Sequence, residues 1–412
     1  MNKNIKLAVA GAVLAMSASA ANAGIIIPAG EWTLDVNGNV NAFAIFGKAK
    51  DSNVIGGGLA NVKDGASESN GQGINTGLLP AWLGFTGTTR QNDTDVSFTI
   101  SMQPAASSNG ITGDNAGLTT NNGPLWRQSF VSFGDKSWGS IKLGKDIGIF
   151  ASNAILNDMT LLGVGAGAAM SGGSTTLGGI GTGYIYAGWK GQVAYTTPNF
   201  NGFQATVGIT NPNQGLASTM STAVTTYNQD RFGLEGQANY SFAADNFSGK
   251  VWVGGATYNV KPTSTSEYTA TAADIGLNLN TGNLGLTGYY YTAEGAGSYM
   301  YHSNAVSQAG NKRDSDGGYV QVTYVLPTKT KFGLAYGVSK LDLAAGETVA
   351  QAATANSNTN LFSENERTTA GLYHPLTKHL NLVGEYNNVE SKAHVGTKNT
   401  SQTVSLGAIL FF

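Results

Sequence analysis

The sequence predicts an all-β protein, a transmembrane antiparallel up-and-down β-barrel of sixteen strands. Three observations carry this reading. Apolar and polar residues alternate over stretches of about ten residues along the whole chain. The connections between those stretches alternate between short and long. Only 12% of the 412 residues are charged, about half the share of typical soluble domains, while mean hydropathy is −0.10. Low charge with average hydropathy suits a sheet that is apolar on one face and polar on the other. No window after residue 30 holds enough consecutive apolar residues for an ordinary transmembrane helix.

The first element is a leader. "MNKNIKLAVAGAVLAMSASAANA" carries Lys3 and Lys6, then an apolar run from Leu7 to Met16. It ends in small residues, with Ala21-Asn22-Ala23 as an A-x-A site. Residues 1–23 therefore read as a secretory signal peptide cut after Ala23, and residues 24–412 as the barrel. Loss of Lys3 and Lys6 leaves 21 basic and 25 acidic residues, a net charge of −4. That balance gives no basic surface for nucleic acid. The absence of cysteine excludes a disulfide scaffold, a thiol nucleophile and a cysteine-ligated metal.

The strands follow from alternation. In "RFGLEGQANYSF", Phe232, Leu234, Ala238, Tyr240 and Phe242 share one face, and Arg231, Glu235, Gln237 and Asn239 the other. By this criterion the strands are 31–47, 78–90, 93–102, 125–134, 138–147, 182–197, 202–210, 229–243, 248–260, 268–280, 283–293, 318–327, 330–342, 365–374, 379–389 and 400–412. Tight turns such as Arg90–Asp93 and Thr281–Asn283 alternate with long connections such as 48–77, 103–124 and 148–181. Two other outer connections, near 261–267 and 390–399, are shorter. A closed barrel with short hairpins at one rim and long loops at the other gives this pattern. Closure is what lets a sheet cross lipid, where every backbone group must be paired. Trp82, Trp126, Trp138, Tyr195, Tyr240, Phe242 and Tyr386 lie near strand ends, where aromatic rings meet membrane interfaces. Lys142, Arg231, Glu235, Asp274 and Arg367 fall on polar parities and are expected to face the lumen.

The last strand, "SLGAILFF", places Ser405, Gly407, Leu410 and Phe412 in the order polar-x-Gly-x-x-apolar-x-Phe. This resembles the C-terminal insertion signal of bacterial outer-membrane proteins, read by the β-barrel assembly machinery.

Three stretches, "WRQSFVSFGDKSWGSIKLGKD" (126–146), "VAYTTPNFNGFQATVGI" (193–209) and "TTAGLYHPLTKHLNLVGEYNNV" (368–389), resemble the general porins of Gram-negative outer membranes. The resemblance implies a homotrimer in the outer membrane, in contact with lipid and lipopolysaccharide. It also implies that the third long connection, 148–181, folds into the lumen and sets a constriction between acidic loop residues and basic wall residues. Asp158 falls on the loop's first carboxylate position, and Leu162 stands at the second. Arg127 matches one wall arginine. Asn39 and Trp82 occupy two other basic positions, and Lys190 lies beside a fourth. The constriction expected from this likeness is Asp158, Arg127, Trp82, Asn39 and Lys190, and exchange of Asp158 for asparagine is expected to alter cation preference.

The implied function is passive diffusion of small hydrophilic solutes and ions with weak charge selectivity. A substrate-selective channel for an anion, carbohydrate or aromatic solute, and a structural or adhesive protein with an occluded lumen, are the alternatives. No cofactor or metal site is expected, since His302, His374, His379 and His394 form no metal spacing. No G-x-S-x-G elbow is present either, so no enzyme is expected. Asp51, Asp64, Glu68, Glu294 and Glu364 are candidates for divalent cations that bridge lipopolysaccharide, or form a solvated face.

Overall fold

The computed structural model describes residues 24–63, 70–106, 125–166, 175–212, 227–262, 266–299, 302–355 and 360–412. Residues 1–23, read from the sequence as a leader, and Asp64 and Glu68 lie outside them. The N-terminal strand β1 (Ile25–Ala29) folds back on β2 (Trp32–Ala49). β3 (Ile55–Gly56) is a two-residue piece. β4 (Asn70–Asn75) and β5 (Trp82–Gln91) are two halves of one wall strand. β6 (Thr94–Gln103), β7 (Leu125–Asp135), β8 (Gly139–Ile147), β9 (Trp189–Thr196) and β10 (Phe203–Thr210) follow, and β11 (Tyr227–Asn228) is a short extension. β12 (Gly233–Ala244), β13 (Phe247–Pro262), β14 (Tyr268–Thr281), β15 (Leu284–Glu294), β16 (Asp314–Val325), β17 (Lys331–Leu341), β18 (Asn360–Pro375), β19 (Leu380–Ala393) and β20 (Lys398–Phe411) complete the wall. Counting β4 and β5 as one strand, the wall is a closed antiparallel barrel of sixteen strands.

β2 closes the sheet. It pairs with β20 from Asn39↔Phe411 to Ala49↔Ser401 on one side, and with β4 and β5 on the other. No wall strand is left with an open edge in lipid. The short turns are chemically dictated. Asn92 and Asp93 both take positive φ, 48° and 60°, the conformation that two-residue hairpins need and that Asn and Asp tolerate. The alternation holds as expected. Val404, Leu406 and Leu410 of β20 are exposed on the outer face, and Ser405 and Ile409 are buried on the inner one. Among the described residues no helix is long and apolar enough to cross a membrane.

Four features depart from the sequence expectation. β9 begins at Trp189, so the third long connection runs 148–188. The second wall strand is interrupted, and Thr76–Ala81 leaves the ladder to bulge inward. Asn41 Nδ2 donates to Leu79 O (3.0 Å), and Asn39 Nδ2 donates to Pro80 O (2.9 Å). These two amides satisfy carbonyls that a continuous ladder would have paired. β12 begins at Gly233, so Arg231 lies in the outer connection, exposed, with its guanidinium 3.4 Å from Glu267. It is not part of the lumen wall.

The fourth departure concerns Arg127. Gln128 pairs with Ser101 and Trp126 with Met102, so Arg127 is the extra residue of a β-bulge. Lumen-facing alternation resumes only at Gln128. Arg127 instead stands over the ring of Trp189, 5.8 Å from its centroid.

Candidate functional site

The connection 148–188 enters the barrel. It leaves the wall at Gly148, whose N–H donates to Gly188 O (2.8 Å) at the point of return. Inside, it forms the short helix α1 (Ser152–Asn157) and a 3-10 turn, Met159–Leu162. Its path is fixed by wall side chains that accept from its backbone.

Glu235 of β12 holds the start. Its Oε2 accepts from Ile149 N (2.7 Å) and Phe150 N (3.0 Å), and its Oε1 from Lys190 Nζ (2.5 Å) and Tyr258 Oη (2.7 Å). The carboxylate is fully buried, and with Thr210 Oγ1 (3.4 Å) five donors surround it. Next, Asn153 donates to Gln237 (2.6 Å) and accepts from Lys250 Nζ (2.5 Å). Tyr319 Oη donates to Ala154 O (2.8 Å). Gln321 bridges α1 and the 3-10 turn, donating to Asn157 O (2.7 Å) and accepting from Met159 N (2.9 Å).

Asp158 sits at the junction of α1 and the 3-10 turn. Its Oδ1 accepts from Thr160 N (2.9 Å), an N-cap bond. Its Oδ2 accepts from Gly179 N (2.9 Å) and Tyr184 Oη (2.9 Å), and lies 3.6 Å from Arg367 Nη2 of β18. Asp158 is 4% exposed and Arg367 1%. One carboxylate thus joins the outgoing loop, the returning loop and the wall.

Glu385 of β19 completes the set, with Oε2 accepting from Val164 N (2.9 Å) and Gly165 N (2.8 Å). Gly163 passes so close to this carboxylate that any side chain there would collide with it. On the opposite side the loop meets the inward bulge of the second strand, where Leu78 N donates to Gly163 O (2.9 Å) and Thr176 N to Gly77 O (3.3 Å). Gly77 is required there as well, since a side chain would run into Gly163 O. The loop is therefore tied to the wall from β12 round to β2.

The half-exposed side of the lumen lies beside β2 and β5–β8. Its wall carries half-exposed Asn37, Trp82, Thr86, Thr99, Gln128, Phe130 and Lys142, and Leu156, Asn157 and Leu162 are half-exposed on the loop. Lys142 is paired with Asp146 (2.5 Å). Asp158 is the only charged residue in 148–188, so the loop presents no charge to the passage.

The expected constriction set is not gathered around this opening. Asp158 and Lys190 are buried as parts of the loop's attachment, and Asn39 is buried where it holds the inward bulge at Pro80. Arg127 is turned out by its bulge. Trp82 remains on the lumen side, half-exposed and edge-on to Phe411 at 6.5 Å between centroids. Of the other lumen charges, Lys142, Glu235, Asp274 and Arg367 lie on the inner face. Asp274 is buried and accepts from Tyr289 Oη (3.1 Å).

Sequence reasoning missed Glu385, Gln321 and Ser339, whose Oγ accepts from Gly183 N (3.0 Å), as loop anchors, though all three lie on the polar parity of their strands. It also missed a second inward segment. Residues 57–61 of the first outer connection fold onto the lumen face of β18–β20. There Leu59 N donates to Ser391 Oγ (2.8 Å) and Asn61 N to Ser401 Oγ (3.0 Å). Of the acidic loop candidates, Asp51 accepts from Thr400 N (3.0 Å), Glu294 pairs with Lys312 (2.7 Å) and Glu364 with Lys392 (2.7 Å). No group of three side chains among the described residues could hold a metal ion.

The outer loops are clamped by a buried pair. Arg313 Nε donates to Glu347 Oε2 (2.9 Å) and its Nη2 to Oε1 (2.5 Å), a two-pronged contact. Burial alone would raise the Glu347 carboxyl, but the bonds from Arg313 and from Ala344 N–H bring it below its ordinary value. A lowered folded-state pKa contributes stability above the unfolded value, and that stability disappears as pH falls through the folded one. Protease cleavage of loops 295–313 and 342–348 should therefore be flat from neutral pH to the ordinary carboxylate range and rise only in stronger acid. A rise already at pH 6 would show that another group controls the clamp.

A closed antiparallel barrel with an inward loop and a polar passage defines a membrane channel. A family model for Gram-negative porins matches residues 8–394. The chain belongs to that family, and its place is the outer membrane. Among solved structures it is similar to the outer-membrane channel DcaP of Acinetobacter baumannii (20% identity, TM-score 0.66), over 95% of this chain and 100% of that one. It is similar to an anion-selective porin from Comamonas acidovorans (16%, TM-score 0.59), over 93% and 100%. A third is OmpF of Salmonella typhi (14%, TM-score 0.56), over 94% and 100%. No curated protein matches it.

Proposed function

We propose that this porin is a passive diffusion channel for small hydrophilic solutes and ions, with weak charge selectivity at its constriction. One observation carries the reading: the inward loop's only charge, Asp158, is buried and bonded to Arg367, Tyr184 and two loop N–H groups. Fixed charges discriminate strongly only where they line a narrow path at close range. Thr86, Thr99, Asn37 and Gln128 supply polarity without net charge, and Leu156, Leu162 and Trp82 favour less polar or aromatic solutes. A homotrimer belongs to this reading, supported by a structural neighbour described as a trimer form. Planar-bilayer recording in a salt gradient tests it. The reversal potential should lie far from the ideal value for either ion, and a near-ideal value would defeat the proposal.

A second reading, a channel that prefers anions, is favoured by Lys250 and Lys331. Both lie on lumen-facing positions toward the short-turn rim, and neither has an acidic partner among the described residues. The inner vestibule is cationic on this reading. The double exchange Lys250→Gln with Lys331→Gln should then move the reversal potential toward cation preference. No movement would leave the weakly selective reading alone. Saturable uptake of one anion in liposome swelling would favour the second.

A further inference from the structure

Residues 51–63 of the first outer connection form a loop whose ends meet, since Lys63 N donates to Asp51 O (3.1 Å). Between those ends the chain dips into the lumen. β3 enters beside β18, paired in parallel with Asn360 and Leu361. At Gly57 the backbone turns with φ 78°, and a side chain there would strike the ring of Phe362. The tip, residues 57–61, then crosses the inner faces of β18, β19 and β20. Asn365 Nδ2 donates to Gly57 O (2.9 Å). Ser391 Oγ accepts from Leu59 N (2.8 Å) and Ala60 N (3.0 Å), and Ser401 Oγ from Asn61 N (3.0 Å). Asn399 Nδ2 donates to Asn61 O (2.9 Å). Side chains of three wall strands thus pair the backbone of a segment that has no ladder of its own.

The tip stands outward of the 148–188 loop. Ser391 lies six residues beyond Glu385 on β19, toward the strand's outer end at Ala393. At the rise of a strand that is about 20 Å along the chain. The two inward segments still touch. Ala60 is buried with Ala166 of the deeper loop and Val389 of the wall, and Leu59 and Leu177 pack against them. The tip therefore takes up lumen cross-section near the outer mouth and roofs one arm of the deeper loop. Gly57, Gly58, Leu59, Ala60 and Asn61 carry no charge, and neither do the four side chains that hold them. Such a segment excludes by bulk, since it has no field with which to sort ions.

We infer that residues 57–61 are a second, outer size filter of this channel, stacked on the deeper loop and held in place by Ser391 and Ser401. The inference rests on the diffusion reading above and adds to it a determinant of solute size.

Liposome swelling with neutral sugars of rising size, from a pentose to a trisaccharide, tests this with two variants of the mature protein. Replacement of residues 52–62 by Gly-Gly removes the tip and joins ends that already meet. Ser391→Ala with Ser401→Ala leaves the loop in place and takes the hydroxyl acceptors from three of its N–H groups. Heat-shifted gel mobility confirms folding of both. In each, trisaccharide uptake relative to pentose uptake should rise severalfold, while the reversal potential in a salt gradient stays where it was. The chain has no cysteine, so Ala60→Cys gives a single thiol that reports on the tip alone. Ala60 is 6% exposed, and an impermeant maleimide should label that thiol slowly. Labelling should be about 10-fold faster in the presence of the two alanine exchanges, the effect of the lost hydrogen bonds. A tip-deleted protein with the wild-type sugar series would overturn the filter. Faster labelling with an unchanged sugar series would also overturn it, because the tip would then detach without setting the limit. Wild-type vesicles that fail to swell even in pentose would instead defeat the diffusion reading, and the filter with it.

Discussion

Exchange of Glu235 for alanine should detach the start of the inward loop and cost about 3–5 kcal/mol, the usual penalty for stripping one partner from a buried ion pair. The carboxylate serves five donors at once. Its loss leaves Lys190 buried and unpaired, and it orphans the N–H groups of Ile149 and Phe150. The barrel wall itself loses little, because β12 keeps its ladders to β10 and β13. The effect should therefore divide. The temperature at which the folded band disappears from unboiled gels falls moderately, and single-channel conductance becomes larger and noisier as the freed segment moves. Glu235→Gln should be milder, since one oxygen still accepts. If the alanine variant keeps wild-type conductance and noise, the loop is held without Glu235.

Asp158→Asn should change conductance while leaving ion preference where it was. The amide keeps the carboxylate's shape, and one oxygen can still cap Thr160 N. The NH2 group must then face Gly179 N–H, Tyr184 Oη and Arg367, which are all arranged to donate. Each charge-assisted bond lost is worth about 1.5–3 kcal/mol, and Arg367 is left buried without its acid. The outgoing and returning arms of the loop separate, and the passage changes shape. Ion preference stays, because a carboxylate that no solute meets contributes little to selection. A variant with altered permeability ratio and unaltered conductance would place Asp158 on the passage after all.

The wall was readable in the amino-acid order for a physical reason. Each strand separates lipid from lumen, and two solvents impose two residue sets at period two. All sixteen wall strands were legible on that ground. Where the same pattern has another cause, it misleads. Ile185 and Ala187 extend the alternation of β9 upstream, yet they are buried loop residues packed against the interior. A bulge is invisible to a family likeness read residue by residue, and so Arg127, matched to a wall arginine, was expected at the constriction. Alternation also tells which side a residue faces, not what lies against it. Glu235, Glu385 and Gln321 look like pore-lining residues in the sequence, and only the folded loop shows that they are covered. The interruption at Thr76–Ala81 could not be read because Leu78 and Leu79 are as apolar as a strand, although Asn39 and Asn41 were visible as polar residues on the strand that supports it.

The separation between buried anchors and half-exposed lining has an evolutionary consequence. The acids that fasten the loop point away from passing solute, and Leu156, Leu162, Thr86 and Thr99, which border the passage, accept none of the loop's backbone bonds. Selection on diet can therefore act on one set while selection on folding preserves the other. A lineage can retune what it admits by single exchanges at the lining and drift among solute preferences without ever unfastening the constriction.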